Sequence, residues 1–382
     1  MMERLANMSC DIPPLAAFCD RDTAKHGMYL KGILIVSPER LLELCMAHQV
    51  GHIVIGVDGK PAEEIRQEVK SRFPSNVKLV EFDEFFSPLK LEHIANIRKE
   101  RVFRWDVAFE TQLEKWIQNF MGEVRFWSQH VANPAGYARQ HYLDMLNTRD
   151  FDGVYKTTPI AHLVKDQAIV MDFGCGVVSR FGENLPGSGK IHLIPVDPLA
   201  PFYNRINERF SGGRIGNRCC QLGLFEFAAH FFEKNYSDLI IIHNALDHCI
   251  DPYKSILECL YVLKPGGRMH LDHRMNEAEF EDYIGLHQWN IDCDGAGNFV
   301  IWNEENAINV SEALKDIADM KISFADDAYG WKFMIAEITK LRDFNLDEFI
   351  GMEQECRELA LFVQKLMGWI AGENTDYLCC EN

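Results

Sequence analysis

The chain of 382 residues lacks the features of a membrane, secreted or nucleic-acid-binding protein. Its apolar runs are far shorter than the ~20 residues that a membrane-spanning helix requires, and Met1 to Pro14 has no apolar run of signal-peptide length. Lysine and arginine total 39 against 57 aspartates and glutamates, and the formal net charge of −18 disfavours a phosphate backbone as partner. We therefore expect a cytoplasmic protein with neither a membrane span nor a nucleic-acid partner.

Cysteines in metal-binding spacing are also missing. The 12 cysteines are spread along the chain, and their adjacent pairs, Cys219/Cys220 and Cys379/Cys380, lack the C-x-x-C spacing of a zinc site. This usage is typical of reduced, mostly buried thiols in the cytoplasm, so no structural zinc is expected.

The length of the chain indicates more than one domain, because a single core rarely organises more than ~250–300 residues. Hydrophobic residues at 47% and charged residues at 25% are ordinary for a folded protein. We predict a small α/β module over residues 1–87, a helical linker or lid over 88–150, a main domain over 151–342, and a C-terminal helix and tail over 343–382.

In the N-terminal module, short apolar runs alternate with helical patterns, as in βαβ units. The runs are Leu15–Phe18, Ile33–Val36, His52–Val57 and Lys78–Phe82, and the helical patterns are Glu39–His48 and Ala62–Phe73. The module lacks an initial strand with a glycine-rich loop, so docking or dimerisation, including homo-oligomer formation, is favoured over nucleotide binding. Residues 88–150 are rich in aromatics at helical spacing and predict a helical layer that packs on the next domain.

The main domain repeats strand, glycine turn and helix, which predicts a parallel sheet covered by helices on both faces. Five successive strands are predicted at Ala168–Asp172, Ile191–Asp197, Asn217–Gln221, Asp238–Ile242 and Arg268–His273. A hairpin of Trp289–Cys293 and Asn298–Trp302 lies in a predicted flap over 275–310, and two later strands, Lys321–Ala325 and Lys332–Thr339, can close the sheet.

The strongest chemical signal is the sequence Asp172-Phe173-Gly174-Cys175-Gly176 after a buried apolar strand. Glycines there let the backbone approach a ligand closely. An acid at the start of the loop suits a cationic amino-acid group and would repel a pyrophosphate. Asp197 ends the next strand, where its carboxylate can accept both ribose hydroxyls. A Leu-Lys-Pro-Gly-Gly turn, 263–267, follows a helix and feeds a strand.

These residues resemble the class I S-adenosylmethionine-dependent methyltransferases. The resemblance implies a Rossmann-like fold with a mostly parallel seven-stranded sheet, and S-adenosylmethionine as methyl donor with S-adenosylhomocysteine as product. The cofactor-binding residues that it implies are Asp172, Gly174, Cys175, Gly176, Asp197, Pro198, Leu222, Gly223 and Asn244. Leu222 and Gly223 would lie beside the adenine and Asn244 near the sulfonium. The sequence departs from the pattern at Gln221–Gly223, where many relatives carry an acid that meets the adenine amine.

A narrower likeness covers residues 120–310. The segments Glu123–Trp127, Asp197–Ala200, Asn244–His248 and Leu286–Asn290 resemble a bacterial methyltransferase group associated with polysaccharide and nucleotide-sugar loci. Residues 17–44 resemble a small Rossmann-type domain found beside sugar-modifying enzymes. This likeness implies O-methylation of a sugar or sugar nucleotide in polysaccharide biosynthesis.

Histidines after the fourth and fifth strands are the candidate general bases, since histidine titrates nearest neutral pH. We expect His273 first, because it ends a strand at the edge where open α/β sheets bind ligands. His248 and His287 are the other candidates, although a structural hydrogen bond is favoured for His248. Arg274 and Glu277 are predicted to hold a polar acceptor, and Trp289 to stack on a sugar ring or anchor the flap. No metal ligand is predicted.

Other functions stay open at this stage. Methylation of nitrogen or carbon in another small metabolite is the main enzymatic alternative. A cofactor-binding scaffold without catalysis is the alternative from another class, since the adenine segment is altered. A nicotinamide-dependent oxidoreductase is disfavoured, because an acid opens the loop and the third glycine is absent from its usual place.

Overall fold

The structure is a computed structural model, and it describes residues 18–19, 26, 29–30, 33–47, 52–55, 59–75, 77–81, 103–133, 137–152, 160–215, 218–326 and 331–372. The chain folds into two compact units, Met1–Arg101 and Val102–Asn382. The domain boundaries drawn from the sequence stay a prediction. No helix within the described ranges is both long enough and apolar enough to cross a membrane.

The first unit contains two small sheets and two helices among its described residues. Its strands are β1 (Phe18–Cys19), β2 (Tyr29–Leu30), β3 (Ile33–Val36), β4 (His52–Ile55) and β5 (Lys78–Glu81), and its helices are α1 (Pro38–Met46) and α2 (Gly59–Arg72). β3 pairs in parallel with β1 and antiparallel with β2, whereas β4 and β5 pair in parallel. The Ser37 hydroxyl accepts the Arg40 N–H and caps α1. Predicted strand residues 15–17, 56–57 and 82 lie outside the described residues.

The second unit carries the remaining described elements. Its helices are α3 (Phe109–Ala132), α4 (Tyr137–Asn147), α5 (Ala200–Phe210), α6 (Ala228–Phe231), α7 (Pro252–Val262), α8 (Glu277–Phe280), α9 (Val310–Ala313) and α10 (Met352–Gly372). Its strands are β6 (Ile169–Phe173), β7 (His192–Asp197), β8 (Gln221–Leu222), β9 (Ser237–His243), β10 (Leu263–Arg274), β11 (Asn290–Cys293), β12 (Phe299–Trp302), β13 (Ala307–Asn309), β14 (Ala318–Asp326) and β15 (Lys332–Lys340).

Within these described residues a seven-stranded sheet runs in the order β14-β15-β10-β9-β6-β7-β8. The five strands from β10 to β8 are parallel, and β15 pairs antiparallel with both β10 and β14. Successive residues of β9 face opposite layers: Leu239 and Ile241 pack in one core, and Ile240 and Ile242 in the other. The arrangement confirms the predicted Rossmann-like fold.

A helical layer packs around α3. Trp116 and Phe120 of α3 stack with their ring centroids 5.2 Å apart, and Phe362 of α10 contacts Trp116 at 5.5 Å. Phe202 of α5 lies 5.7 Å from Phe120. These apolar contacts join α3, α5 and α10 in one core that borders the carboxyl edge of the sheet.

The region predicted as a flap forms a small antiparallel sheet of β11, β12 and β13. Trp289 and Trp302 are fully buried, and the indole N–H of Trp302 donates to Asn276 Oδ1 at 3.0 Å. β11 and β12 contribute Ile291, Phe299 and Ile301 to the main core. Burial of these residues fixes the position of the segment just before β11, and this segment carries His287.

Candidate active site

A cavity of about 440 Å³ opens at the carboxyl ends of β6, β7 and β9, within the second unit. Parallel strands bring their carboxyl ends to one edge, where open α/β sheets bind ligands. The described residues that line it come mainly from α3, the loop after β6, the segments after β7, β8 and β9, and the segment before β11. They include Trp116, Glu123, Trp127, Asp172, Gly174, Cys175, Gly176, Asp197, Pro198, Tyr203, Leu224, Glu226, His243, Asn244, His248 and His287.

The loop after β6 has the backbone that its glycines allow. Gly174 and Gly176 have φ values of 70° and 66°, in the left-handed region of backbone conformation that residues with a Cβ rarely adopt. A Cβ on Gly174 would lie 2.4 Å from Ala245 Cβ, so the loop also packs too closely against the segment after β9 for a larger residue. The main chain therefore forms part of the cavity wall.

Asp172 and Asp197 both line this cavity. The Gly176 and Leu199 N–H groups donate to the two carboxylate oxygens of Asp197 at 3.0 and 2.8 Å, and the Ser179 hydroxyl donates to Asp172 at 2.6 Å. Burial raises the pKa of each carboxyl to about 7, against these hydrogen bonds, which lower it. Each carboxylate can therefore ionise to meet a positive or hydrogen-bond-donating group of a ligand.

Leu222 and Gly223, predicted beside the adenine, are placed differently from the other residues predicted to bind the donor. Leu222 is 45% exposed, and neither it nor Gly223 is among the residues that line the cavity. The next residues, Leu224 to Glu226, do line it. Glu226 is buried, accepts the Ile250 N–H, and has its pKa raised to about 7 by burial. This acid lies just after the segment that departs from the family pattern.

Asn244 follows β9 in a left-handed conformation, with φ of 45°. Its Nδ2 donates to Glu277 at 2.8 Å, and its Oδ1 accepts the Arg274 N–H at 2.9 Å. Glu277 and Arg274, both predicted to bind the acceptor, are not among the cavity-lining residues. They hold Asn244 in place, and Arg274 also lies 3.3 Å from the centre of the Trp331 ring.

Three histidines surround the buried carboxylate of Asp247. His273 Nε2 lies 2.8 Å from Asp247 Oδ1, and His287 Nδ1 lies 2.6 Å from Asp247 Oδ2. His248 Nε2 contacts His287 Nδ1 at 3.2 Å. Burial alone would raise the pKa of Asp247, but the surrounding histidines outweigh burial and hold it well below its usual range. Asp247 is therefore a buried anion that organises the cluster.

The histidine expected first as base lies away from the cavity. His273 is fully buried, and its two ring nitrogens face acceptors, the Asp247 carboxylate and the Arg274 carbonyl oxygen at 2.8 Å. Although burial opposes it, Asp247 raises the pKa of His273, which suits an imidazolium that donates from both nitrogens. In contrast, His248 and His287 line the cavity and are 23% and 27% exposed.

The geometry between His287 and Asp247 is that of a hydrogen bond. Donor atoms of Asp247, His248 and His287 lie within 4.8 Å of one another, as do those of Asp247, His273 and Glu277. Two ligands of one tetrahedral ion, each about 2.0–2.2 Å from it, would lie farther apart than the observed 2.6 Å. The expectation of no metal ligand stays a prediction.

Several lining residues were missed by sequence reasoning. His243 ends β9, where its Nδ1 lies 2.6 Å from Asp272 Oδ1 and its Nε2 2.6 Å from Arg180 Nη1. Burial, followed by the nearby Arg180 charge, lowers the pKa of His243 to about 4, so this ring is neutral. Glu123 and Trp127, which the sequence places in a helical layer and in the narrower likeness without a role in binding, both line the cavity, and the Trp127 N–H donates to Glu123 at 2.8 Å. Their i,i+4 spacing on α3 was the available signal.

Trp289 is fully buried and does not line the cavity. Its indole N–H donates to the Cys249 carbonyl at 3.0 Å, and its ring lies 5.0 Å from that of Trp105. These contacts are those of an anchor for the flap region. Of the two roles left open for Trp289, the structure thus favours anchoring over stacking on a sugar.

Comparison with known proteins identifies the domain. Residues 171–271 match a family described as a methyltransferase domain, and this range holds the glycine loop, Asp197, and β9 with the segment after it. The match confirms the predicted class I S-adenosylmethionine-dependent methyltransferase domain and the predicted methyl donor. None of the curated proteins compared with the chain matches it.

Solved structures of methyltransferases resemble the chain at low identity. A chain from the complex between the Haloferax volcanii Trm112 methyltransferase activator and a methyltransferase is 12% identical, with a TM-score of 0.36, over 60% of this chain and 98% of that one. The N-methyltransferase NodS from Bradyrhizobium japonicum WM9, solved with S-adenosylhomocysteine, is 12% identical, with a TM-score of 0.34, over 58% and 99%. An S-adenosylmethionine-dependent methyltransferase from Methanosarcina mazei is 16% identical, with a TM-score of 0.30, over 48% and 99%. Likenesses this distant do not identify an acceptor.

Proposed function

Given that this chain is an S-adenosylmethionine-dependent methyltransferase, we propose that it methylates a hydroxyl group of a sugar or sugar nucleotide, with His287 as the general base. The observation that carries the proposal is the 2.6 Å contact between His287 Nδ1 and the buried Asp247 carboxylate, in the wall of the cavity. The narrower sequence likeness to methyltransferases of polysaccharide loci supports the choice of a sugar.

The predicted donor residues and two histidines of the cluster, His248 and His287, line the same cavity, where they would serve different steps of the reaction. S-adenosylmethionine, when bound, supplies a methyl group that its sulfonium activates for in-line displacement. Asp172, Asp197 and the glycine loop would hold the donor, and Asn244 is fixed beside them by Glu277 and the Arg274 N–H. The protein then needs to align an acceptor oxygen and to remove its proton as the bond to carbon forms.

His287 has the contacts of a base held by a carboxylate. Its Nδ1–H donates to Asp247 Oδ2, which leaves Nε2 to accept the proton of the acceptor hydroxyl. The other oxygen of Asp247 is held by His273, so the carboxylate cannot rotate away. The fully buried His273 is in this proposal a positioning residue that acts through Asp247.

The charges along the cavity bear on the acceptor. Among its described lining residues are the carboxyl groups of Glu123, Asp172, Asp197 and Glu226, together with the Arg180 guanidinium and the His287 ring, whose pKa is raised to about 9. This excess of carboxylates would repel a diphosphate, so only the sugar part of a sugar nucleotide would enter the cavity. The charge balance favours an acceptor whose methylated part is uncharged, such as a sugar ring, and it also admits a cationic amine. Methylation of an amine is therefore the second candidate.

A direct test uses S-adenosylmethionine that carries a ¹³C-labelled methyl group. The purified protein is incubated with neutral sugars, sugar nucleotides and amines, and the product is read by NMR, since methyl carbons on oxygen, nitrogen and carbon resonate at different positions. We expect an O-methyl sugar. An N-methyl or C-methyl product would overturn the acceptor assignment, and binding of S-adenosylhomocysteine without transfer to any acceptor in cell extract would favour a scaffold.

The role of His287 is tested with a matched pair of variants. Removal of a general base costs about 10²–10⁴-fold in rate, so His287→Gln should lower kcat/KM by about that factor while S-adenosylhomocysteine still binds. His192, exposed on β7, provides the control His192→Gln, which should keep full activity. Unchanged kcat/KM in His287→Gln would rule out this base.

A further inference from the structure

Two thiols touch each other at the donor loop. Cys175 lies between Gly174 and Gly176, lines the cavity, and has its Sγ 3.1 Å from Cys220 Sγ. Both cysteines are free thiols; Cys220 is buried and Cys175 is half-buried. They belong to different parts of the fold, since Cys175 follows β6 and Cys220 immediately precedes β8. The proposed methyl transfer uses the main chain of the loop at Cys175 but neither of the two thiol groups.

Each thiol sits on a segment that is tied to its surroundings. The main chain of Cys220 is held by Asn204 of α5, which accepts the Cys220 N–H at 3.1 Å and donates to its carbonyl at 2.8 Å. On the other side, the Cys175 N–H donates to the Val196 carbonyl at 3.3 Å and the Gly176 N–H donates to Asp197 at 3.0 Å. Any movement of Cys175 towards Cys220 therefore disturbs the bond that orients Asp197.

We propose that Cys175 and Cys220 form a redox-sensitive pair, which a hydroperoxide oxidises to a disulfide in the donor-free enzyme, and that this bond weakens binding of the methyl donor. The inference concerns the donor site and does not depend on which acceptor the enzyme methylates.

The reaction balances with hydrogen peroxide as oxidant. The half-buried Cys175 thiol attacks the peroxide, which gives a sulfenic acid and one water. Cys220 Sγ then attacks the sulfur of that sulfenic acid, its proton leaves with the hydroxyl group as a second water, and the S–S bond forms. Two thiols lose two hydrogen atoms and two electrons in total, and one peroxide becomes two waters.

Closure of the bond requires a small, localised movement. A disulfide has an S–S distance of about 2.05 Å, so the two sulfurs must approach by about 1 Å from their present 3.1 Å. The glycines on either side of Cys175 allow the loop to move, at the expense of the Gly176 contact with Asp197. Displacements of about 1 Å in a binding site cost on the order of 100-fold when they misplace reacting groups.

The test follows thiols and donor binding in the full-length protein. Burial raises the pKa of both thiols, so peroxide reacts slowly and the incubation is run at mildly alkaline pH. Peptide mapping without reduction should show a Cys175–Cys220 crosslink, and calorimetry should show S-adenosylhomocysteine bound on the order of tenfold more weakly, with recovery after dithiothreitol. Saturating S-adenosylhomocysteine added first should slow the crosslink, because it covers Cys175.

Variants separate this pair from other cysteines. Cys220→Ser should keep its affinity for S-adenosylhomocysteine after peroxide, with Cys220→Ala as the second variant if the serine impairs folding. Cys219 is the exposed neighbour, and Cys219→Ser should behave like the wild type. A crosslink through another cysteine, oxidation of Cys175 without a crosslink, or a Cys175–Cys220 disulfide with unchanged affinity would each overturn the proposal. Because donor binding is the readout, the result stands apart from any failure to find the acceptor.

Discussion

Asp172 and Asp197, which are proposed to hold the donor, should make donor binding depend on pH. Burial raises the pKa of both carboxyls to about 7, and the ionised forms are the ones that suit the amino group and the ribose hydroxyls of the donor. Below pH 7 a proton must leave before such contacts form, so affinity falls by up to about tenfold per pH unit for each group. We expect the affinity for S-adenosylhomocysteine, measured by calorimetry, to rise from pH 6 to 8 and then level off.

Two amide variants resolve this dependence. Asp197→Asn should bind more weakly than the wild type at pH 8 and show a shallower rise with pH, because one of the two titrating carboxyls is gone. Asp319 lies exposed on β14, and Asp319→Asn should reproduce the wild-type curve. An Asp197→Asn protein with wild-type affinity would mean that this carboxylate does not touch the donor.

His287 should give the methyl-transfer rate an alkaline optimum. Burial lowers the pKa of His287, but the Asp247 hydrogen bond and charge, with smaller contributions from Glu277 and Glu281, raise it to about 9. The neutral ring is the base, so kcat/KM should increase about tenfold per pH unit near neutrality and level off above pH 9. The measurement is kcat/KM against pH for the best acceptor.

Asp247→Asn gives this profile a distinctive test. Loss of the carboxylate lowers the pKa of His287, so the rising part of the profile should move to lower pH while the plateau falls, because the ring loses its orientation. A structural role for Asp247 alone would lower the plateau without moving the curve. The neighbouring His248 also lies near this carboxylate. Because the Asp247 carboxylate remains in His248→Gln, the pKa of His287 should stay raised in this variant, and its pH profile should stay close to that of the wild type.

The structure places most of the predicted donor residues in one cavity, but it does not place there the histidine expected first as base. Asp172, Gly174 and Asp197 lie at strand ends, and strand order alone brings them to one cavity. The choice of a candidate base depends on side-chain direction: His273 ends a strand as expected, yet its ring is fully buried away from the cavity. His287 reaches Asp247 from 40 residues away in the chain, through the buried segment before β11. No local pattern encodes that distance.

At the scale of the element, the glycine loop after β6 offers a matched comparison. In Gly176→Ala the new methyl group meets nothing within 4 Å, so only the left-handed backbone, at φ of 66°, opposes it. This costs about 1–2 kcal/mol of stability. Gly174→Ala has the same backbone strain and also a 2.4 Å clash with Ala245 Cβ. We expect a larger fall in melting temperature and loss of S-adenosylhomocysteine binding in Gly174→Ala.

The clash itself can be relieved. The double variant Gly174→Ala with Ala245→Gly removes the Ala245 Cβ, so it should recover part of the melting temperature lost in Gly174→Ala. If the double variant is no better than the sum of its two single changes, the close packing between the loop and the segment after β9 is not what excludes a side chain at position 174.

Element positions followed from the sequence where apolar patterns were long. β6, β7, β9 and β15 lie within about two residues of their predicted bounds. β10 begins at Leu263, earlier than predicted, because the strand includes the Lys-Pro-Gly-Gly segment, where its register with β9 shifts between Leu263 and Arg268. β13 has only three residues, too few for an apolar pattern that distinguishes a strand from the surrounding loop. The C-terminal helix begins at Met352, since a short 3-10 turn, Leu346–Glu348, takes up the predicted opening residues.

At the scale of the whole molecule, the C-terminal helix α10 packs on the second unit with a pair of buried acids, one from α7 and one from α10. Glu258 of α7 and Glu355 of α10 are both fully buried, and His230 Nε2 lies 2.9 Å from Glu355. Burial and then the Glu355 charge raise the pKa of Glu258 to about 9. At neutral pH Glu258 is therefore expected to be protonated beside Glu355 of α10.

This pair should make the folded protein less stable as pH rises. Glu258 holds its proton in the folded state up to about pH 9 but would release it near pH 4.5 when unfolded, so unfolding releases a proton throughout that window. The free energy of unfolding must fall with rising pH in the window, by the linkage between proton binding and stability. Urea unfolding from pH 5 to 9, with hydrogen exchange of α10 as a local probe, measures the slope.

Glu258→Gln isolates this contribution, because glutamine resembles the protonated acid at every pH. The free energy of unfolding of Glu258→Gln should exceed that of the wild type by an amount that grows as pH rises from 5 to 9. In this variant the amides of α10 should stay protected from hydrogen exchange at pH 9. Glu353 is exposed on the same helix, so Glu353→Gln should follow the wild-type curve throughout. Should the difference in free energy of unfolding between wild type and Glu258→Gln stay constant with pH, Glu258 would have to be ionised in the folded protein, and the proposed link between pH and stability would be wrong.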